Sequence, residues 1–212
     1  MSINNSSRLL LVEGVAGIGK STLISSLIRK YVKDNRRIRS LLHLTQAQTY
    51  HPLLPDEPDA SPTPEQNLAH LEKILDLINW MASTVSDEQR KMFFCAIDTL
   101  HLTHCFRPGV LSWADVSEFD RRLARMGCRI VFLRASSQTI LERTIWSRKD
   151  NEFITYYGRK YGDSLESIHQ YFVREQERML ALLEQSAMEQ LLIDCDEFVP
   201  DKSEEVFDFW VK

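Results

Sequence analysis

Ten residues near the start of the chain, EGVAGIGKST from Glu13 to Thr22, have the types and spacing needed to hold a polyphosphate. Three of the seven glycines fall here, Gly14, Gly17 and Gly19, directly ahead of Lys20, Ser21 and Thr22. Glycine admits positive φ and lets a backbone wrap closely round a large anion. The amides of Gly14, Val15, Ala16, Gly17, Ile18 and Gly19 can then turn inward as a nest. A helix opening at Lys20 adds the positive end of its dipole. Lys20 offers a point charge to the β- and γ-phosphates, Ser21 a hydroxyl to Mg²⁺, and Thr22 a hydroxyl to the α-phosphate. Gly14, Gly19, Lys20 and Ser21 fit G-x-x-x-x-G-K-[ST], the phosphate-binding loop. The alternative is a chance match in a glycine-bearing turn; the elements on either side argue against it.

Other residues are candidates by position. Asp98 ends the apolar run MFFCAID. A carboxylate at the carboxyl edge of a parallel sheet points into the crevice where ligands bind. There it can hold Mg²⁺, sharing the metal with Ser21, or take a proton from an acceptor hydroxyl; the plainer reading is a cap on the next turn. His101 and His104 follow at helical spacing from Asp98, which allows a metal site, although histidines so placed are more often buried or pocket-lining. Gln46, Gln48 and Tyr50 can read a base or another polar acceptor by hydrogen bonds, or serve as plain loop polars. Glu13 either orients Lys20 or the acceptor, or is a surface carboxylate at a strand end.

These residues need a scaffold, and the apolar pattern supplies one. RLLLVE (Arg8–Glu13) reads as a strand buried on both faces, followed by a helix from about Lys20 to Lys33. Further strands are expected in RIRSLLHL, ending at Leu44, in Met92–Asp98, in Cys128–Ala135 and in Gln190–Asp194. Helices are expected over Glu65–Val85, Trp113–Met126, Ser137–Ser147, Ser164–Ala187 and Ser203–Trp210, the last opened by an Asp201/Glu204 capping box. Trp80 and Met81 are assigned to the core with the Leu68, Leu71, Leu75, Ile78 stripe. Leu165, Ile168, Phe172, Met179 and Leu183 form a second packing stripe. Apolar strands alternating with helices predict an α/β fold, a three-layer α/β/α sandwich around a five-stranded parallel sheet. Two stretches read as irregular: TQAQTYHPLLPDEPDASPTPEQ (Thr45–Gln66), with five of the seven prolines, and SRKDNEFITYYGRKYGD (Ser147–Asp163), rich in cations and aromatics with two glycines as hinges.

The bulk numbers agree with one domain over 1–212. Apolar residues make up 43% of the chain and the formal charge is −4, which gives no global electrostatic footprint for nucleic acid. The four cysteines, Cys95, Cys105, Cys128 and Cys195, form no C-x-x-C pair and suit reduced thiols in a cytoplasmic protein. The first apolar run is too short for a signal peptide, and no stretch approaches a membrane span.

With this loop, the alternating pattern and the closing segments, the sequence resembles P-loop kinases of small molecules. It is most similar to the thymidylate kinase and deoxynucleoside kinase group. EGVAGIGKST resembles their EG…GKST opening, and ILERTIWSRKDNE (Ile140–Glu152) their lid, which carries paired arginines. LESIHQYFVREQERML followed by LLIDCDE resembles their closing helix and last strand. The likeness covers nearly the whole chain, though only the first motif is specific. It implies the P-loop NTPase fold, ATP and Mg²⁺ as cofactors, a nucleoside or nucleoside monophosphate as phosphoryl acceptor, and often a helix-built homodimer. It implies a mobile lid at about 143–163, with Arg143 and Arg148 closing on the transferred group, and a substrate-side loop at about 45–66. Arg143 reads alternatively as stacking on adenine. Arg143, Arg148, Arg159 and Lys160 also read as a solvated helix face.

The sequence departs from the group in two places. Thr99 stands where the relatives carry an arginine, a role Arg107 could take from the following segment. The second strand leads into HLTQAQTYHP instead of an acidic or arginine-bearing motif. Two alternatives to a kinase follow: an ATP-binding regulator without transfer, and a nucleoside triphosphatase. Against the latter, the chain has no N-K-x-D guanine motif, and its Asp98 strand does not end in Asp-Glu.

Overall fold

The computed structural model describes residues 8–34, 40–50, 62–84, 93–106, 111–148, 151–162, 164–197 and 202–211. Expectations resting on Arg107, Asp201, residues 51–61 and the side chains of Arg159 and Lys160 lie outside what it describes. Five strands, β1 (Arg8–Glu13), β2 (Ser40–Leu44), β3 (Phe93–Asp98), β4 (Cys128–Arg134) and β5 (Glu189–Asp194), form one sheet in the order β2-β3-β1-β4-β5. Every pair is parallel. The central strands are continuous apolar runs because both their faces are covered.

Alternate residues of β1 enter two separate layers. Leu9 and Leu11 pack with Cys95, Ile97, Ile130 and Phe132 under α3 (Pro64–Ser83), α5 (Trp113–Arg125) and the C-terminal half of α8 (Leu165–Leu183). Leu10 and Val12 pack with Phe94, Ala96, Val131 and Leu133 under α1 (Lys20–Asp34), α9 (Ser203–Val211) and the N-terminal half of α8. This is the α/β/α sandwich of the P-loop NTPase fold that the sequence predicts. Each fully buried Leu or Ile contributes about 1.5–3 kcal/mol, so the layers hold the strand ends in fixed register. All four cysteines are buried and unpaired; burial pushes the Cys105 and Cys195 thiols up to about 12.

Three expectations need correction. Trp80 is 65% exposed, not core. The buried stripe of α3 is Leu71, Ile74, Leu75 and Ile78, and Trp80, two residues beyond Ile78, points to the far side; Met81, three beyond it, does pack against the layer. Second, much of Ser147–Asp163 is not irregular: Asn151–Tyr161 is helix α7. Its aromatics dock on α8, with Tyr157 5.3 Å from Phe172 and Tyr161 stacked 3.5 Å from Tyr171. Gly158 lies inside this helix, and Gly162 terminates it at φ +116°. Third, Ser137–Ser147 is not one α-helix: α6 (Ser137–Ile140) runs into a π turn, Leu141–Ile145, and a 3₁₀ turn, Trp146–Arg148. No described helix is long and apolar enough to cross a membrane.

Candidate active site

Gly14 follows β1 directly, so the loop starts at the carboxyl edge of the sheet, between β3 and β4. Gly14, Gly17 and Gly19 have φ of 141°, 83° and 111°. A Cβ on Gly14 would lie 2.7 Å from the carbonyl oxygen of Leu133 on β4; one on Gly17 would lie 3.1 Å from Thr144 Cα in the π turn. The loop is thus pressed between a strand and a turn, with space for backbone alone. Val15 and Ile18 drop their side chains into the core and Ala16 is buried beside them, which leaves main chain at the surface of the loop. Thr144 Oγ1 donates to the carbonyl of Ala16 at 2.7 Å. Thr144 was not singled out by the sequence, and no spacing or motif signals it.

Lys20 is 5% exposed, and its ammonium donates to the carbonyls of Gly14 (2.8 Å) and Val15 (3.0 Å). Leu23 N donates to the Gly19 carbonyl at 2.9 Å, as α1 begins at Lys20. Ser21 and Thr22, in the first turn of α1, are exposed; amides of a first turn have no partner within their own helix.

Asp98 pairs in register with Val12, one strand over from the loop. Its Oδ2 accepts a hydrogen bond from Ser21 Oγ at 2.8 Å, which brings the two expected metal ligands together. Its Oδ1 accepts from Thr99 Oγ1 at 3.1 Å, and Thr99 Oγ1 in turn accepts from Gln46 Nε2 at 3.1 Å. Thr99 has φ +69°, a conformation in which a β-branched residue is strained by roughly 1–3 kcal/mol. It is held there by its amide on the Val12 carbonyl (3.0 Å) and by the two side-chain bonds. The sequence marks Thr99 only as a departure from the kinases it resembles; threonine is among the last residues it would suggest for this backbone.

Glu13 is neither a surface carboxylate nor aimed at the loop. It is fully buried, and its oxygens accept from the Leu100 amide (2.8 Å) and Thr103 Oγ1 (2.9 Å), fixing the turn after β3. Burial raises its pKa, opposed by His101, these hydrogen bonds and the Lys20 charge. His101 and His104, on α4 (His101–His104), are buried too. His101 Nε2 lies 3.0 Å from Asp120 Oδ1; His104 bonds Asn67 and, at 3.0 Å, the Thr49 carbonyl. These bonds make the histidines internal struts; among the described residues no cluster of three or more His, Cys, Asp or Glu could hold a metal ion.

Of the three candidates after β2, only Gln46 reaches the site. Gln48 Oε1 is used in a capping box on Thr45 at the start of α2 (Gln46–Thr49), accepting from its amide at 2.9 Å and its hydroxyl at 2.7 Å. Tyr50 is buried, edge-on to His104.

The two lid arginines separate. Arg143 is not directed at the loop: its guanidinium donates to the carbonyls of Cys195 (2.5 Å), Asp196 (3.2 Å) and Glu197 (3.1 Å), just beyond β5. Five planar donors suit such a cluster of carbonyls, and the π turn places the side chain there. Arg148 is exposed on the 3₁₀ turn and pairs with no carboxylate among the described residues.

No protein-family model matches the chain, and neither does any curated protein sequence. Solved structures do resemble it. The YorR protein of Bacillus subtilis, in complex with phosphorylated GDP, aligns with a TM-score of 0.57 and 14% identity over 95% of this chain and 94% of that one. APE1195 aligns with a TM-score of 0.54 and 14% identity over 98% of each chain. At such identity the likeness is one of fold.

Proposed function

We propose that the chain is a magnesium-dependent phosphotransferase that moves the γ-phosphoryl group of ATP to a small acceptor, a nucleoside or nucleoside monophosphate. The group it would join is that of the thymidylate and deoxynucleoside kinases. The observation that carries this reading is the 2.8 Å bond between Ser21 Oγ and Asp98 Oδ2, which joins the first turn after the phosphate loop to the end of the neighbouring strand. A hydroxyl and a carboxylate at that junction are the oxygen donors a magnesium triphosphate requires. Mg²⁺, held by Ser21 and Asp98, would neutralise charge on the phosphates. The Gly14–Gly19 amides would hold the phosphates, with Lys20 moving its ammonium a short way from the loop carbonyls to meet them.

Arg148, exposed and without an acidic partner among the described residues, is the lid cation that supplies transition-state charge. Arg143 fixes the segment after β5. The bound phosphorylated GDP in YorR supports nucleotide binding on this fold; the choice of adenine rests on the family resemblance. We further propose a cytoplasmic protein, built as a homodimer, without nucleic-acid or membrane partners.

One observation favours a second reading, an ATP-binding regulator: Arg143 is committed to carbonyls, and the family resemblance adds that Thr99 stands where the similar kinases carry an arginine. Purified chain with γ-phosphate-labelled MgATP, screened against nucleosides and nucleoside monophosphates, separates the two. Stoichiometric transfer of label to one acceptor supports the kinase. ATP uptake by calorimetry without transfer to any acceptor supports the regulator.

A further inference from the structure

We infer that the acceptor is taken up uncharged, as a nucleoside and not as its monophosphate, and that Gln46 and Thr99 receive it; this rests on the phosphotransferase reading. Ligands of open parallel sheets lie outside the carboxyl ends of the strands. Here, on the side of Asp98 away from β4, that region is bounded by the ends of β2 and β3 and by α2, α3 and α4.

The described side chains that meet at this wall are carboxamides, hydroxyls and an imidazole. Gln46 bonds Thr99, and Thr49 Oγ1 donates to the Asp98 carbonyl at 3.0 Å. His104 joins Thr49 to Asn67 of α3. Among the described residues, β2, α2 and the start of α3 as far as Glu72 carry no lysine or arginine, while Glu65 and Glu72 of α3 are acidic; Lys73, which follows, is exposed. Of these, Glu72 is paired with Arg122 at 2.7 Å. Between Asp98 and Arg121 the chain has a single arginine or lysine, Arg107. A phosphate monoester needs cations or a fork of N–H donors, and carboxylates repel it. A nucleoside hydroxyl needs one acceptor and one donor.

Gln46 supplies both. The Thr99 hydroxyl has one proton, and it goes to Asp98 Oδ1, so Gln46 must turn its amide nitrogen to Thr99. Its Oε1, with no hydrogen-bond partner among the described residues, is left for a ligand hydroxyl, as is the second amide hydrogen. A hydroxyl held by Gln46 is therefore three hydrogen bonds from Asp98, through Gln46 and Thr99.

The test uses the full chain with labelled MgATP and matched pairs, each common nucleoside beside its monophosphate. One nucleoside is expected to exceed its monophosphate in kcat/KM by at least about tenfold. Gln46→Ala should raise that nucleoside's KM about tenfold while the KM for ATP stays within about twofold. Thr99→Val should behave alike and Thr99→Ser should not. Gln46→Arg should narrow the gap between nucleoside and monophosphate. Transfer to monophosphates in preference to nucleosides overturns this inference and leaves the phosphotransferase standing. An equal rise in both KM values for Gln46→Ala overturns the role of Gln46. Absence of transfer to either class overturns both readings together. The wild-type preference needs no variant, so it stands whether or not the substituted chains fold.

Discussion

The glycine-rich loop and the wall proposed to face the acceptor meet at Asp98 and are built from different materials. The loop is main chain: its amides are presented by three positive-φ glycines, and Val15 and Ile18 are turned into the core. The wall is side chain: two carboxamides, hydroxyls and an imidazole from four separate segments, joined by hydrogen bonds. Main chain is the same at every position, so a loop made from it can be written in ten consecutive letters. A wall of side chains exists only once distant segments are packed together. In the proposed function the loop would take any polyphosphate, whereas the wall would select the acceptor.

Several experiments would break this contrast or sharpen it. The largest effect belongs to Lys20→Ala, which removes the one ammonium of the loop: kcat should fall by about a thousandfold with circular dichroism unchanged. Gly14→Ala tests whether the loop tolerates only backbone. The new methyl meets Leu133 O at 2.7 Å with φ at +141°. Nucleotide affinity should drop by about a hundredfold, with a stability loss of about 1–3 kcal/mol in urea melts. Arg148→Ala should lower kcat by about tenfold or more without weakening ATP binding. Arg143→Ala should instead destabilise the segment after β5, read as faster hydrogen exchange at 195–197.

Thr144→Val removes the donor on Ala16 O and leaves a buried carbonyl unsatisfied. Its cost should be about 1–3 kcal/mol, with a weaker hold on ATP. The smallest effect is a pH dependence. Burial raises the Glu13 pKa in the folded chain, so in the unfolded chain it loses its proton first, near pH 4.5. Its contribution to stability is greatest below that pH and is lost as pH rises through the folded value. Urea melts of wild type against Glu13→Gln should show wild type losing ground as pH rises above 4.5. A difference that stays flat with pH would refute the assignment.

Much was legible in the letters. The phosphate loop, the five strands and the position of Asp98 follow from local rules: glycine freedom, continuous apolar runs and a carboxylate at a strand end. Trp80 failed because a stripe at helical spacing admits residues on its edge, and only the docked helix decides which of them faces the sheet. The aromatic stretch after Arg148 failed because its helical pattern makes sense only against Tyr171 and Phe172. Gln46, Gln48 and Tyr50 looked equivalent in sequence; a cap, a buried ring and one open carboxamide told them apart.

By itself the sequence determined that this chain makes a parallel sheet with a glycine-rich loop at its edge, because both rest on contacts between near neighbours. The tertiary structure alone decided that Arg143 serves the chain's own carbonyls, that Glu13 is buried, and that Thr99 links Gln46 to Asp98. Each of those depends on groups tens of residues apart, whose distance is set by packing the two layers and by nothing written locally.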